Sequence, residues 1–304
     1  MAQVNGFEGR LGFVEETNYG VPSTSLTLVW IGSVNKFTIV NKVEKKTRHR
    51  LHVKGSTVNR TPSGIASGKQ SISAKVEWSP QGTGAVGHYM SFVAELIGTS
   101  TGLADTRKSI MLNAVHKDGS VEGPLKGCVA SYFNCKCSVG QDVMMDTELL
   151  AATYDPSAPI DVTITIAGAT DVYHVATECD GEVLEWTDCE IQISSTSQDL
   201  ITGFEFKIDN KTSERHRLNA VNTPAEVMWG PAEITGKCTF DLEDNTELKR
   251  MLELSPFAMA IKIGAFTWTF AGCEWESDTI DQDNENPVQQ VLPWKALSVA
   301  INTA

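Results

Sequence analysis

Cys128, Cys135 and Cys137 stand in the spacing C-x6-C-x-C, and three thiols so close together invite a metal. Zinc sites match one C-x2-4-C pair with a second, and no second pair stands nearby. Phe133, Cys135, Cys137 and Val139 instead share one face of an alternating strand. Because a free cysteine packs as a small hydrophobe, core positions are expected, with no metal and no cofactor. Asp281 to Glu285 (DQDNE) has the acids of a calcium loop but lacks the glycine, the further ligands and the flanking helices, so it reads as a solvated acidic loop. His49 and His216 each lie inside an Arg-His-Arg-Leu run, with no nucleophile motif, H-E-x-x-H or phosphate loop to work with. No catalytic residue is expected, and no enzymatic activity. Alternation in Arg-His-Arg puts both arginines on one side of an extended arm, which suits carboxylates on a neighbouring surface. An exposed basic hairpin without a partner is the other reading of the same residues. The tryptophans, among them Trp78, Trp186, Trp229, Trp268, Trp275 and Trp294, fall mostly in alternating strands, which favours core or subunit-interface roles over a sugar-stacking face.

These residues are held by an uneven charge distribution. The chain carries 25 Lys+Arg against 38 Asp+Glu, a net charge of −13. Residues 1 to 156 hold 16 bases and 13 acids; the remainder holds 9 and 25. Lys36 to Arg60 contains eight bases and one acid, Glu44, whereas Glu274 to Glu285 contains six acids and no base. So acidic a whole argues against a protein that grips nucleic acid. A basic arm and an acidic strip in one chain point to self-association, with Lys42, Lys45, Lys46, Arg48, His49, Arg50 and Lys54, and in the second half Arg215, His216 and Arg217, as the expected assembly residues. No apolar run reaches membrane-spanning length, the first residues lack a secretory pattern, and the seven scattered cysteines read as reduced thiols made in a cytosol.

The elements that carry these residues are mostly strands. Ser71 to Trp78, Asp161 to Ile166, Cys189 to Ile193, Phe204 to Ile208 and Ala260 to Phe270 alternate apolar with polar. Helical stripes are expected at Tyr89, Phe92, Val93, Leu96 and Ile97, ended by Gly98, and at Leu248, Met251 and Leu252, capped by Asn245 and ended by Pro256. Two phrases recur: Phe37, Ile39, Asn41 and Lys42 as Phe206, Ile208, Asn210 and Lys211, and Arg48 to Leu51 as Arg215 to Leu218. Gly68-Lys69 also recurs as Gly236-Lys237. The spacing is too long for a solenoid unit and implies one domain duplicated and fused. The junction is expected in TYDPSAPID, giving domains 1–156 and 157–304, with polar arms over about 41–67 and about 210–235. Each is expected to be β-rich with one flanking helix.

The opening NGFEGRLGFVEETNYGVPSTS (5–25), the strands PSGIASGKQSISAKVEW and GPAEITGKCTFDLED, and the block LKGCVASYFNCKCSVGQDVMMDTEL resemble the tail tube proteins (major tail proteins) of long-tailed phages. The resemblance implies a mainly β fold: two tandem sandwich or partial-barrel domains, each with a flanking α-helix. It further implies a structural virion protein made in the host cytoplasm. Sheets of neighbouring subunits would join edge to edge, and a fused pair would close as a trimeric ring of pseudo-sixfold symmetry. Stacked rings would form a tube through which DNA passes. Expected partners are further copies of the chain and the tape measure, terminator and tip proteins, with DNA in transit and no membrane. A two-domain carbohydrate-binding or adhesin-like sandwich is the alternative.

Overall fold

The computed structural model describes residues 9–22, 29–31, 33–48, 64–81, 92–93, 109–116, 121–154, 182–217, 222–241, 246–277, 279–281 and 288–303. The first half contributes β1 (Gly9–Asn18), β2 (Val21–Pro22), β3 (Val29–Trp30), β4 (Ser33–Arg48), β5 (Gly64–Ser79), β6 (Ile110–His116), β7 (Val121–Ser138), β8 (Met144–Ala151) and β9 (Thr153–Tyr154). The second contributes β10 (Cys189–Ile193), β11 (Thr196–Ser197), β12 (Ile201–Asp209), β13 (Ser213–Arg215), β14 (Glu226–Met228), β15 (Glu233–Asp241), a helix (Thr246–Leu252), β16 (Phe257–Ile263), β17 (Phe266–Trp275), β18 (Thr279–Asp281), β19 (Gln289–Ala296) and β20 (Ser298–Thr303). The fold is mainly β and antiparallel, as the alternating sequence requires.

The strand pairings of the first half are repeated in the second. β1 pairs β6, β6 pairs β7, β7 pairs β8 and β9, β8 pairs β5 and β5 pairs β4. In the same order β10 pairs β16, β16 pairs β17, β17 pairs β19 and β20, β19 pairs β15 and β15 pairs β12. Strand β18 continues the line of β17 against β19. Both copies carry a bulge, a one-residue misfit in the ladder, at the same place. It falls where β6 meets β7 at Gly127 (φ 66°) and where β16 meets β17 at Gly272 (φ 62°). At both sites a side chain would collide as well as strain the backbone: an added Cβ would lie 2.7 Å from Ala152 Cβ and 2.7 Å from Leu297 Cδ1, respectively.

Register corrects the repeat alignment read from sequence. β4 faces β5 with Phe37 opposite Val76 and Ile39 opposite Ala74; β12 faces β15 with Phe204 opposite Cys238 and Phe206 opposite Gly236. Their shared neighbours β8 and β19 place Val76 and Cys238 at equivalent points, so Phe37 corresponds to Phe204, Ile39 to Phe206 and Asn41 to Ile208, a shift of 167. That is also the offset between Arg48 and Arg215, so one shift covers both phrases. Gly236-Lys237 corresponds to Ala74-Lys75 and not to Gly68-Lys69. A slip of two residues keeps every side chain on its face, which is why the slipped match looked equally good.

Two further expectations are revised. Ala260 to Phe270 is not one strand: a turn at Gly264 and Ala265 splits it into the hairpin β16–β17. The second helix turns Glu247 and Met251 inward, while Leu252 is 72% exposed. Glu247 earns its buried place by accepting the Trp275 indole N–H at 2.9 Å and pairing with Arg250 at 3.2 Å. Of the first helical stripe Phe92 and Val93 are helical and fully buried; Tyr89, Leu96 and Ile97 lie outside the described residues, as do Asp161 to Ile166.

One hydrophobic core runs through both halves. Phe133 of β7 stacks on Trp268 of β17 (5.3 Å, 7°) and lies 6.1 Å from both Trp78 of β5 and Phe206 of β12. Trp78, Trp268 and Trp294 are fully buried, and Cys128, Cys135 and Cys137 pack into this core. Val139, expected on the Cys135 face, sits beyond the strand end and is exposed.

The opening phrase has a structural purpose. Glu16 of β1 is buried, and its carboxylate accepts the Gly20 N–H and the Gly127 N–H, both at 2.8 Å, and the Ser109 hydroxyl. One side chain thus ties the β1 turn to β7 and to the start of β6. Replacing Glu16 by Ala leaves those donors without a partner and is expected to cost about 3 kcal/mol of unfolding free energy, measurable by urea denaturation.

Candidate functional site

No group of three or more His, Cys, Asp and Glu that could hold a metal occurs among the described residues. A cleft of about 430 Å³ opens between β7 and β10, with Cys137 and Cys189 in its wall beside Trp186 and Phe204. Burial pushes the Cys128 thiol well up and the Cys238 and Cys273 thiols up to about 12, so they stay neutral and unreactive at pH 7. The features that stand out are sheet edges.

Within the chain one edge is already used. β7 pairs with β12 from Tyr132 opposite Asp209 to Ser138 opposite Gly203, joining the two halves into a continuous sheet. Phe204, Phe206 and Ile208 of β12 lie between β7 and β15 and are buried, the last two completely. On the opposite face Lys207 lies over the Tyr132 ring at 4.7 Å, and Asn134 donates to Glu205 at 3.4 Å. Burial would raise the Glu205 carboxyl, but Lys237 at 2.8 Å, with Asn134 and Lys136, holds it below the usual carboxylate range. Asn210 closes the seam: its backbone N–H donates to Ser131 O at 2.8 Å and its Nδ2 to Ala130 O at 3.0 Å.

The sheet that runs through the seam, β4-β5-β8-β7-β12-β15-β19-β17/β18, ends in two edges with no partner strand among the described residues. β4 pairs only with β5, and the line 274–281 of β17 and β18 pairs beyond Cys273 only with β19. On β4 the row equivalent to the buried Phe204, Phe206 and Ile208 is Phe37 and Ile39, only partly buried, and Asn41, exposed. Val40 is 51% exposed on the other face. Lys36, Lys42 and Lys45 stand exposed along β4, and Glu274 and Glu276 along the other edge.

The sequence-derived assembly residues divide accordingly. Lys42 and Lys45 lie on the edge strand β4, and Lys46 and Arg48 occupy the end of its ladder with β5, opposite Ala66 and Gly64. His49, Arg50 and Lys54 lie outside the described residues. Part of the first arm, expected as a loop from about 41, is therefore a long hairpin of β4 and β5. In the second arm Arg215 is exposed beside Glu226 (3.7 Å), His216 lies 3.4 Å from Glu214, and Arg217 is exposed. This arm forms the small β13–β14 sheet and lies against the first half: the Ser71 hydroxyl donates to Glu214 at 2.6 Å, and the Gln70 N–H to Asn222 O at 2.9 Å. Sequence reading missed the β7–β12 seam; the Phe-x-Phe-x-Ile alternation of β12 was its one visible trace.

Strand pairings that repeat in both halves, joined along the β7–β12 seam with two outer edges left open, suit a structural protein better than a catalytic one. A family model described as phage tail tube protein matches residues 6–296, and the chain belongs to that family. It is a structural component of the virion tail, and the family implies assembly with copies of itself and with other tail components. No curated protein matches the chain in sequence.

Proposed function

We propose that the chain is two tube modules, 1–156 and 157–304, and that three copies close into a ring of pseudo-sixfold symmetry. Such rings stack into the tube through which DNA passes. The observation that carries this reading is the β7–β12 seam, a module-to-module joint already made inside one chain, together with the two complementary edges left over. An open sheet edge is a liability unless paired, and a head-to-tail contact that closes by rotation gives a ring. Acidic residues, in excess across the second half, serve a conduit well: negative walls repel phosphate and let a genome slide. The basic first arm then reaches the neighbouring ring, and the tape measure, terminator and tip proteins meet the tube in its lumen and at its ends.

Negative-stain microscopy of the purified protein, with a sizing column run in parallel, tests the reading. Rings or tubes are expected. A monomer that persists at high protein concentration and low salt would overturn it.

A further inference from the structure

The two open edges are the two halves of one joint, and the seam inside the chain gives its register. Each residue of β7 has its counterpart 145 positions on: Gly127 matches Gly272, Val129 opposite Leu150 matches Glu274 opposite Lys295, and Asn134 opposite Asp146 matches Thr279 opposite Val291. Each residue of β12 has its counterpart 167 positions earlier on β4. Carrying the β7–β12 pairing through both shifts sets Ser277 against Lys42, Thr279 against Val40, Ile280 against Ile39 and Asp281 against Thr38.

Resting on the tube reading, we propose that β4 of one copy pairs antiparallel with Ser277 and β18 of the next copy in this register. Three observations converge on that occupant. Among the described residues β4 has no strand on the side where its counterpart β12 has one, and the core-facing row there, Phe37 and Ile39, is left half-covered where Phe204 and Phe206 are buried. Among the same residues the edge of Glu274–Ser277 and β18 has no strand where its counterpart in β7 has one. The charges match as well: exposed Lys36, Lys42 and Lys45 line one edge, and the other carries exposed Glu274 and Glu276, the latter also paired with Lys295 of its own chain at 2.6 Å. The arms fall into place by the same equivalence. Since Glu214 of the second arm reaches Ser71 in the first half, Thr47 at the root of the first arm comes to Glu233 of the neighbouring copy.

Paired cysteines read the register directly. Residues opposite each other in a ladder bring their Cβ atoms to about 5 Å, within disulfide reach. The double variant Val40→Cys/Thr279→Cys, oxidised with copper–phenanthroline, is expected to run as a covalent ladder on a non-reducing denaturing gel, ending at the closed ring. Either single variant should not. Nor should Lys36→Cys/Thr279→Cys, whose partners lie four positions out of register, about 13 Å apart. If the unmodified protein forms rings but Val40→Cys/Thr279→Cys gives no ladder, or the offset pair links equally well, the pairing is wrong and the tube reading survives. If the unmodified protein remains monomeric, both fall.

Discussion

Phe133→Ala is expected to lower the free energy of unfolding by about 3–5 kcal/mol, among the largest effects of any single truncation in this chain. Phe133 has no exposed surface and touches rings from three other strands: Trp78, Phe206 and Trp268. Deleting it leaves a cavity that rigid neighbours on three strands cannot collapse to fill. Because β7 belongs to the first half while Phe206 and Trp268 belong to the second, the loss should destabilise both. Urea denaturation followed by tryptophan fluorescence and by circular dichroism should show both transitions moving together to lower midpoint. A variant that melts the first half while leaving the second untouched would show that the core is divided. Val139→Ala, at an exposed turn, is the control and should change little.

The second large effect falls on assembly and not on folding. Lys36→Glu, Lys42→Glu and Lys45→Glu together reverse the sign of the β4 edge at exposed positions, so the melting temperature should stay close to that of the unmodified chain. Facing the acidic edge of the next copy, the variant meets like charge, which costs several kcal/mol across an interface. Assembly should need a protein concentration higher by roughly a hundredfold, equivalent to about 2.7 kcal/mol. Salt separates charge from shape. Raising it should weaken association of the unmodified protein and partly restore the variant, because exposed pairs are screened within about 10 Å at 0.1 M. Light scattering against concentration at two ionic strengths checks both statements. Normal assembly of the variant would remove the basic edge from the joint.

Much of this fold was legible because a half-buried strand writes its period into the sequence. Ser71 to Trp78 and Phe204 to Ile208 were read as strands and are strands, and the thiols of Cys135 and Cys137 lie in the core their alternation indicated. What alternation does not encode is which strand lies beside which. The β7–β12 seam joins residues far apart in the chain, and nothing local to Phe133 or Phe206 announces the other. Period two is also blind to slips of two, so in sequence the phrase at Phe37 fits Phe206 as well, whereas its ladder partner sets it on Phe204. Glu16 belongs to the opening phrase, but its role as a buried acceptor is not legible there, because two of its donors, the Gly127 N–H and the Ser109 hydroxyl, are brought in from far along the chain by folding. The exposure of Leu252 has a similar origin. In so short a helix the inward side is chosen by what can be satisfied there, and the Trp275 indole draws Glu247 in.

The weld between β7 and β12 also bears on how fast a ring can be built and how often it goes wrong. In the proposed ring, six separate modules would need five encounters between free molecules, each limited by concentration, before the last contact closed within one complex. Three fused chains would need only two, since the covalent link holds every second contact at an effective concentration in the millimolar range before any collision occurs. Half of the joints of such a ring would be made while the polypeptide folds, leaving fewer incomplete intermediates in which assembly could stall.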